Sequence, residues 1–236
     1  MSGFTLKLIA LVLMIIDHAG LVLLAGTSWY LPCRILGRIA FPIYAFLITE
    51  GYVHTHNVKK YAGRLLAFAL LSEIPFDYAF FGTFFYAKYQ NVFFTLTLGL
   101  AAMVCLDMAA GKNGTELSWE QQMRRSGIGK VLLVVIMIAA EAACTDYGAF
   151  GVLMILLFYW FRNQKGTCVL VTCAALIAYG FLGGFQIEGF AALSWIFIGN
   201  YNGEKGKYPL PSIVFYAAYP IHLLILGVLV RGWFVG

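Results

Sequence analysis

Long apolar runs recur from one end of this chain to the other, and a bilayer is the solvent they fit. A helical span needs roughly 20 mostly apolar residues. The runs predict spans near 4–25, 31–50, 62–81, 91–110, 130–145, 148–161, 167–183, 186–199 and 210–230. The expectation is an all-α polytopic membrane helix bundle of about nine transmembrane helices, eight to ten at the limits. The sixth and eighth runs are short, and a tilted, re-entrant or half-spanning course suits them. Only 11% of the 236 residues are charged, too few to cover a globule in water, where about 25% is usual. One domain therefore fills residues 1–236, with a cytoplasmic loop at 111–130. Within that loop, Glu116 to Arg125 predicts a short interfacial helix with Trp119 at headgroup level.

The basic residues set the orientation. Twelve of the 16 Lys and Arg fall in alternate loops: Lys7; Lys59, Lys60 and Arg64; Lys112, Arg124, Arg125 and Lys130; Arg162 and Lys165; Lys205 and Lys207. The other side carries Lys88 and Arg231, and the second span carries Arg34 and Arg38. Positive loops stay in the cytoplasm. The N-terminus is thus expected inside, in a multi-pass protein of the inner or plasma membrane. The net charge of +5 is explained by topology, so lipid rather than nucleic acid is the expected partner. Lys7 before Leu8 to Ile16 resembles a signal peptide, but Asp17 and His18 interrupt the run and no cleavage site is clear. It reads as a first helix. Ser2 stands where myristoylation requires glycine. Five scattered cysteines, with no C-x-x-C, argue against a metal or redox site and read as small core residues. A Cys33–Cys144 disulfide is the less favoured alternative.

Charges in hydrocarbon are costly, so each needs a reason. At ~1.5 Å per residue, Asp17 and His18 lie about 20 Å into the first span, and His222 lies at a similar depth in the last. Arg34 and Arg38 fall in the outer half of the second span, and Glu73 and Asp77 in the outer half of the third. These groups point to one polar cavity between the midplane and the outer face, with Asn91 and Thr95 as further candidates for its lining. Residues i and i+4 share a helix face, which pairs Arg34 with Arg38, Glu50 with His54, and Glu73 with Asp77. Asp17 and His18 are adjacent and diverge by about 100°. Asp17 therefore suits an arginine of the second span, and a carboxylate from another helix suits His18. The bland alternative is a set of buried ion pairs that lock the bundle. Pro42, Pro75 and Pro220 lie inside spans beside these residues, where a proline kinks a helix and frees a carbonyl. On the inner side, Glu50, His54, His56, Lys59, Lys60 and Arg64 surround one loop. They are either topogenic or a site for a phosphorylated cofactor. Nucleotide-binding, serine-hydrolase and zinc-protease motifs are absent.

Several segments together resemble one family. They are Leu6-Lys7-Leu8-Ile9-Ala10 and Ile16-Asp17-His18-Ala19-Gly20, then Leu36-Gly37-Arg38-Ile39-Ala40-Phe41-Pro42 through Glu50-Gly51. Further matches are Ser72-Glu73-Ile74-Pro75-Phe76-Asp77, Asn91-Val92-Phe93-Phe94-Thr95-Leu96 and Tyr219-Pro220-Ile221-His222-Leu223. The pattern is similar to the TraX family of conjugal-transfer membrane proteins, within the wider transmembrane acyltransferases. The resemblance implies N-terminal acetylation of pilin, with acetyl-CoA as cytoplasmic acyl donor. It matches His18 to the favoured catalytic histidine and Arg38 to the second-helix arginine.

Together these readings give an expected membrane acetyltransferase. The catalytic set is His18 as base, Arg38 at the oxyanion, and Asp17, Glu73 and Asp77, of which Glu73 or Asp77 orients His18 or binds the acceptor amine. Arg34, His222 and Asn91 are expected to bind the acceptor. Glu50, His54, Lys59, Lys60 and Arg64 are expected to hold acetyl-CoA. The rivals are a proton-coupled transporter or flippase, whose carboxylates and histidines relay protons, and a non-catalytic assembly factor.

Overall fold

The computed structural model describes residues 1–110, 119–184, 186–207 and 211–232. Its helices follow the apolar runs in order. They are α1 (Gly3–Leu23), α2 (Tyr30–Arg38), α3 (Ala40–His54), α4 (Val58–Phe81), α5 (Val92–Ala109), α6 (Trp119–Ala142), α7 (Gly148–Trp160) and α8 (Lys165–Leu182). A 3-10 helix (Gln186–Ser194), α9 (Trp195–Ile198) and α10 (Ser212–Arg231) complete the chain. Among the described residues, five helices are long and apolar enough to cross a bilayer: Gly3–Leu23, Tyr30–His54, Val92–Ala109, Lys165–Leu182 and Ile213–Arg231. Helices α4 and α6 are 24 residues each but include more polar ends. Gly148–Trp160 and Gln186–Ile198 are shorter apolar helices.

Local chemistry sets the ends. The Ser2 side chain accepts from Thr5 N–H, Asn57 from Lys60 N–H and Asn91 from Phe93 N–H, each satisfying a donor that a helix start leaves open. Gly82 closes α4 in the left-handed region at φ 71°, a conformation that glycine adopts without strain. The second run is one span in two pieces. It breaks at Ile39, three residues before Pro42, whose ring cannot donate into the preceding turn. Helix α6 starts at Trp119 rather than near 130, because polar residues can extend a helix beyond an apolar run. The 119–130 part of the expected loop is therefore helix continuous with α6. Residues 111–118, with Lys112 and Glu116, and the side chains of Trp119 and Arg125 lie outside the described residues, as does Pro209.

Helix α3 sits at the centre and buries Ala40, Phe41, Ile43, Ala45, Leu47 and Ile48 around most of its circumference. It packs on α1, α5, α7 and the 3-10 helix. An all-round apolar helix needs such neighbours. The bundle's outer surface keeps large apolar side chains in the open, among them Leu70, Leu71, Ile138, Leu170 and Leu182. In hydrocarbon, that exposure carries no hydrophobic cost.

Hydrogen bonds between loops define two ends of the bundle. At one end, Met1 donates to the Asn200 carbonyl, Gly3 and Phe4 N–H donate to the carbonyls of Glu204 and Lys205, and Lys165 Nζ donates to Gly199 O. At the other, Gln90 N–H donates to Cys144 O and Asp146 N–H to Gln90 O. Since Lys165 opens α8 and Gly199 closes α9, the segment from Gln186 to Ile198 runs back alongside α8. It covers that length with fewer residues because a 3-10 helix rises ~2 Å per residue against ~1.5 Å. Its buried residues, Glu188, Ala191 and Ser194, recur every third position and so form one stripe.

Candidate functional site

The site begins where α1 meets α2. A Cβ on Gly37 would run into the Asp17 side chain, and one on Gly20 would meet Cys33 Cβ at 2.5 Å. Each glycine leaves room for a side chain of the facing helix, Asp17 against Gly37 and Cys33 against Gly20, and α2 then brings both its arginines onto Asp17. Arg34 Nη1 lies 2.8 Å from Asp17 Oδ2, and Arg38 Nη2 lies 2.5 Å from the same oxygen. Arg38 Nη1 continues to Glu188 Oε1 at 2.7 Å and to the Tyr147 hydroxyl at 3.1 Å. Two carboxylates and two guanidiniums thus balance in a nearly water-free cluster, where the Arg38, Asp17 and Glu188 side chains are 11%, 7% and 9% exposed. The Nε–H groups of Arg34 and Arg38 are buried and make no hydrogen bond among the described residues, so both remain donors in reserve.

Tyr147 reaches Arg38 from a strained backbone. Its φ is 62°, uncommon for an aromatic residue, and its ring stacks on Phe41 at 3.8 Å. Asp146, beside it in the α6–α7 turn, accepts from the Tyr89 hydroxyl at 2.8 Å, while its carbonyl accepts from Thr95. Burial pushes the Asp146 carboxyl up to about 6, against the opposing pull of the Tyr89 bond and Arg38.

His18 points away from this cluster. Its Nδ1 lies 2.7 Å from His222 Nε2, with the two rings within 8° of parallel, and His222 Nδ1 is 2.8 Å from the Ala218 carbonyl. Phe80 and Tyr219 meet the His18 ring edge-on.

Two cavities meet in the middle of the bundle. The first, of about 470 Å³, lies toward the end that holds the N-terminus and is bordered by Lys7, Glu50, His54, Arg64 and Lys205. The second, of about 590 Å³, is bordered by Asp17, His18, Arg34, Arg38, Asp146 and Arg231 toward the opposite end. Met14, Tyr44, Val92 and Tyr219 border both, so the two cavities adjoin across these four side chains.

Not all expected site residues join these chambers. Glu73 and Asp77 do not approach His18. Asn91 donates to Glu73 and to the Ala69 carbonyl, and Asp77 accepts from Tyr86 N–H at 2.6 Å. These three tie α4 to the start of α5 and its preceding loop. Thr95 likewise holds the α6–α7 turn rather than the cavity wall. His222 meets His18 instead of bordering either cavity. Glu50, His54 and Arg64 border the first cavity, whereas Lys59 and Lys60 are exposed beyond it. All five cysteines are unpaired, Cys33 and Cys144 included. Among the described residues no group of His, Cys, Asp or Glu has the makings of a metal site.

Glu188 and Tyr147 were not anticipated. Glu188 had a signal, a lone carboxylate in an apolar run, while Tyr147 had none beyond its neighbour Asp146. In the sequence, Lys7 and Lys205 mark orientation alone.

A buried, charge-balanced cluster inside a bundle with several bilayer-length helices defines a multi-pass membrane protein with a polar interior. The chain matches the family described as TraX protein over residues 2–230 and belongs to it. It is 29% identical over 253 residues to a protein of Dichelobacter nodosus called probable fimbrial assembly protein FimC, serogroup H1, covering 95% of this chain and 94% of that one. No solved structure matches.

Proposed function

We propose that this protein is a membrane-embedded acetyltransferase, moving an acetyl group from cytoplasmic acetyl-CoA to an amine or hydroxyl reached from the other face. The observation that carries this reading is the pair of chambers meeting at Met14, Tyr44, Val92 and Tyr219. A donor that is anionic at one end and acylated at the other fits that shape. The N-terminal chamber supplies cations for phosphates in Lys7, Arg64 and Lys205, and the acyl arm would pass between the four shared side chains, as through a neck, to His18 and Arg38. The excess of Lys and Arg in the loops at that end supports a cytoplasmic chamber.

His18 is the general base. It takes the proton of the attacking amine or hydroxyl as the new bond to the acetyl carbon forms, and returns it to the sulfur as the carbon–sulfur bond breaks. The free Nε–H of Arg38 or Arg34 donates to the carbonyl oxygen as its negative charge grows. Asp17 and Glu188 hold the arginines in place. The acceptor class is the N-terminal amine of a pilin or fimbrial subunit, which the family and the relative named for fimbrial assembly support.

Blocking the neck tests this. Met14→Trp fills the junction but leaves the cations of the first chamber untouched. Calorimetry is expected to show acetyl-CoA still bound, while transfer to an acceptor peptide is lost. Transfer that persists through a blocked neck overturns the proposal.

A further inference from the structure

We infer that His222 is a positioning residue, fixing His18 as its Nδ1–H tautomer so that a bare Nε2 serves as the base. This inference rests on the acetyltransferase reading for the use of that nitrogen, and on hydrogen-bond geometry for the tautomer.

The Ala218 carbonyl can only accept, so His222 Nδ1, 2.8 Å away, must carry hydrogen. In a neutral ring the other nitrogen is then bare. His222 Nε2 therefore accepts, and the hydrogen shared across 2.7 Å belongs to His18 Nδ1. A neutral His18 bonded in that way has an unprotonated Nε2. Among the described residues, no carboxylate hydrogen-bonds to the histidine pair. Asp17 is held by Arg34 and Arg38, Glu73 by Asn91, and Asp77 by the Tyr86 backbone. The order is carbonyl, imidazole, imidazole, so a backbone oxygen and a second histidine do what a carboxylate does in better-known triads.

The arrangement also relates the two ends of the chain. His222 lies on α10 and His18 on α1, helices that pack directly on one another. The base is thus held in its working form by a contact between the first helix and the last.

The test reads the tautomer and the turnover separately. Full-length protein with 15N-labelled histidine is reconstituted in bicelles, and the His18 signals are assigned by their loss in His18→Gln. In the unmutated protein, His18 is expected to show a protonated Nδ1 and a bare Nε2. His222→Ala is expected to lose that pattern and to lower kcat about 100-fold with KM for acetyl-CoA unchanged. His222→Gln, whose side-chain oxygen accepts the same hydrogen bond, is expected to restore the pattern and most of kcat. A protonated Nε2 on His18 in the unmutated protein, or a tautomer indifferent to His222→Ala, overturns the proposal. Should His18→Ala leave transfer intact while the tautomer pattern is as expected, it is the acetyltransferase reading that falls.

Discussion

Replacing Arg38 separates the energy of the buried cluster from its chemistry. Arg38 lies 2.5 Å from Asp17 and 2.7 Å from Glu188. Asp17 has a second cation, Arg34 at 2.8 Å, but among the described residues Glu188 has no other. Arg38→Met therefore leaves one buried carboxylate unpaired. Breaking a buried pair by removing one partner typically costs about 3–5 kcal/mol. Adding Glu188→Gln removes the stranded charge and leaves the Arg34–Asp17 pair balanced. The double variant is then expected to be more stable than Arg38→Met alone, with a coupling of about 1–3 kcal/mol. Unfolding of bicelle-reconstituted protein by SDS titration measures it across the four-member cycle. A double variant no more stable than the single one refutes the charge argument. Activity gives a second reading. The double variant keeps its fold but lacks the Arg38 Nε–H, so transfer stays lost if Arg38 is the oxyanion donor, and a folded, active double variant removes Arg38 from that role and assigns it to Arg34.

Lys7→Glu and Lys205→Glu are each expected to raise KM for acetyl-CoA about 10-fold or more with kcat unchanged, since a charged hydrogen bond contributes about 1.5–3 kcal/mol. The same change at Lys59 or Lys60 is expected to have little effect, and initial rates against acetyl-CoA concentration decide between them. Asp146 titrates near pH 6 in the folded protein against 3.8 for the ordinary side chain, so the folded state holds its proton more tightly. Stability therefore falls as pH rises from about 4 to 6, and above that range the ionised carboxylate carries its full cost. Asp146→Asn is expected to raise Tm at pH 8 and to change it little at pH 4. An equal shift at both would rule out burial of the charge as the cause.

The helices were legible because hydrocarbon imposes one rule, apolar side chains over a bilayer's thickness, and the runs obey it. Where the rule stops applying, the reading failed. Polar residues continue α6 back to Trp119 without any hydropathy signal. The 3-10 winding of Gln186–Ser194 is invisible to a pattern search tuned to 3.6 residues per turn. Counting residues along the spans assigned the charged groups to one layer, but depth does not give azimuth. Glu73 and Asp77 turn toward the start of α5 and the loop before it. His222 was counted as a substrate contact because a sequence offers no way to see one imidazole facing another across 204 positions. The basic loops showed which end is positive without showing that Lys7 and Lys205, rather than Lys59 and Lys60, face inward.

The crossing of α1 and α2 has a consequence for how freely this sequence can drift. Gly37 is a hole the size of one methyl group, and the carboxyl arm of Asp17 already occupies it. Any larger residue there would evict the anion from between its two cations, so this helix crossing and the seat of the negative charge stand or fall as one inheritance.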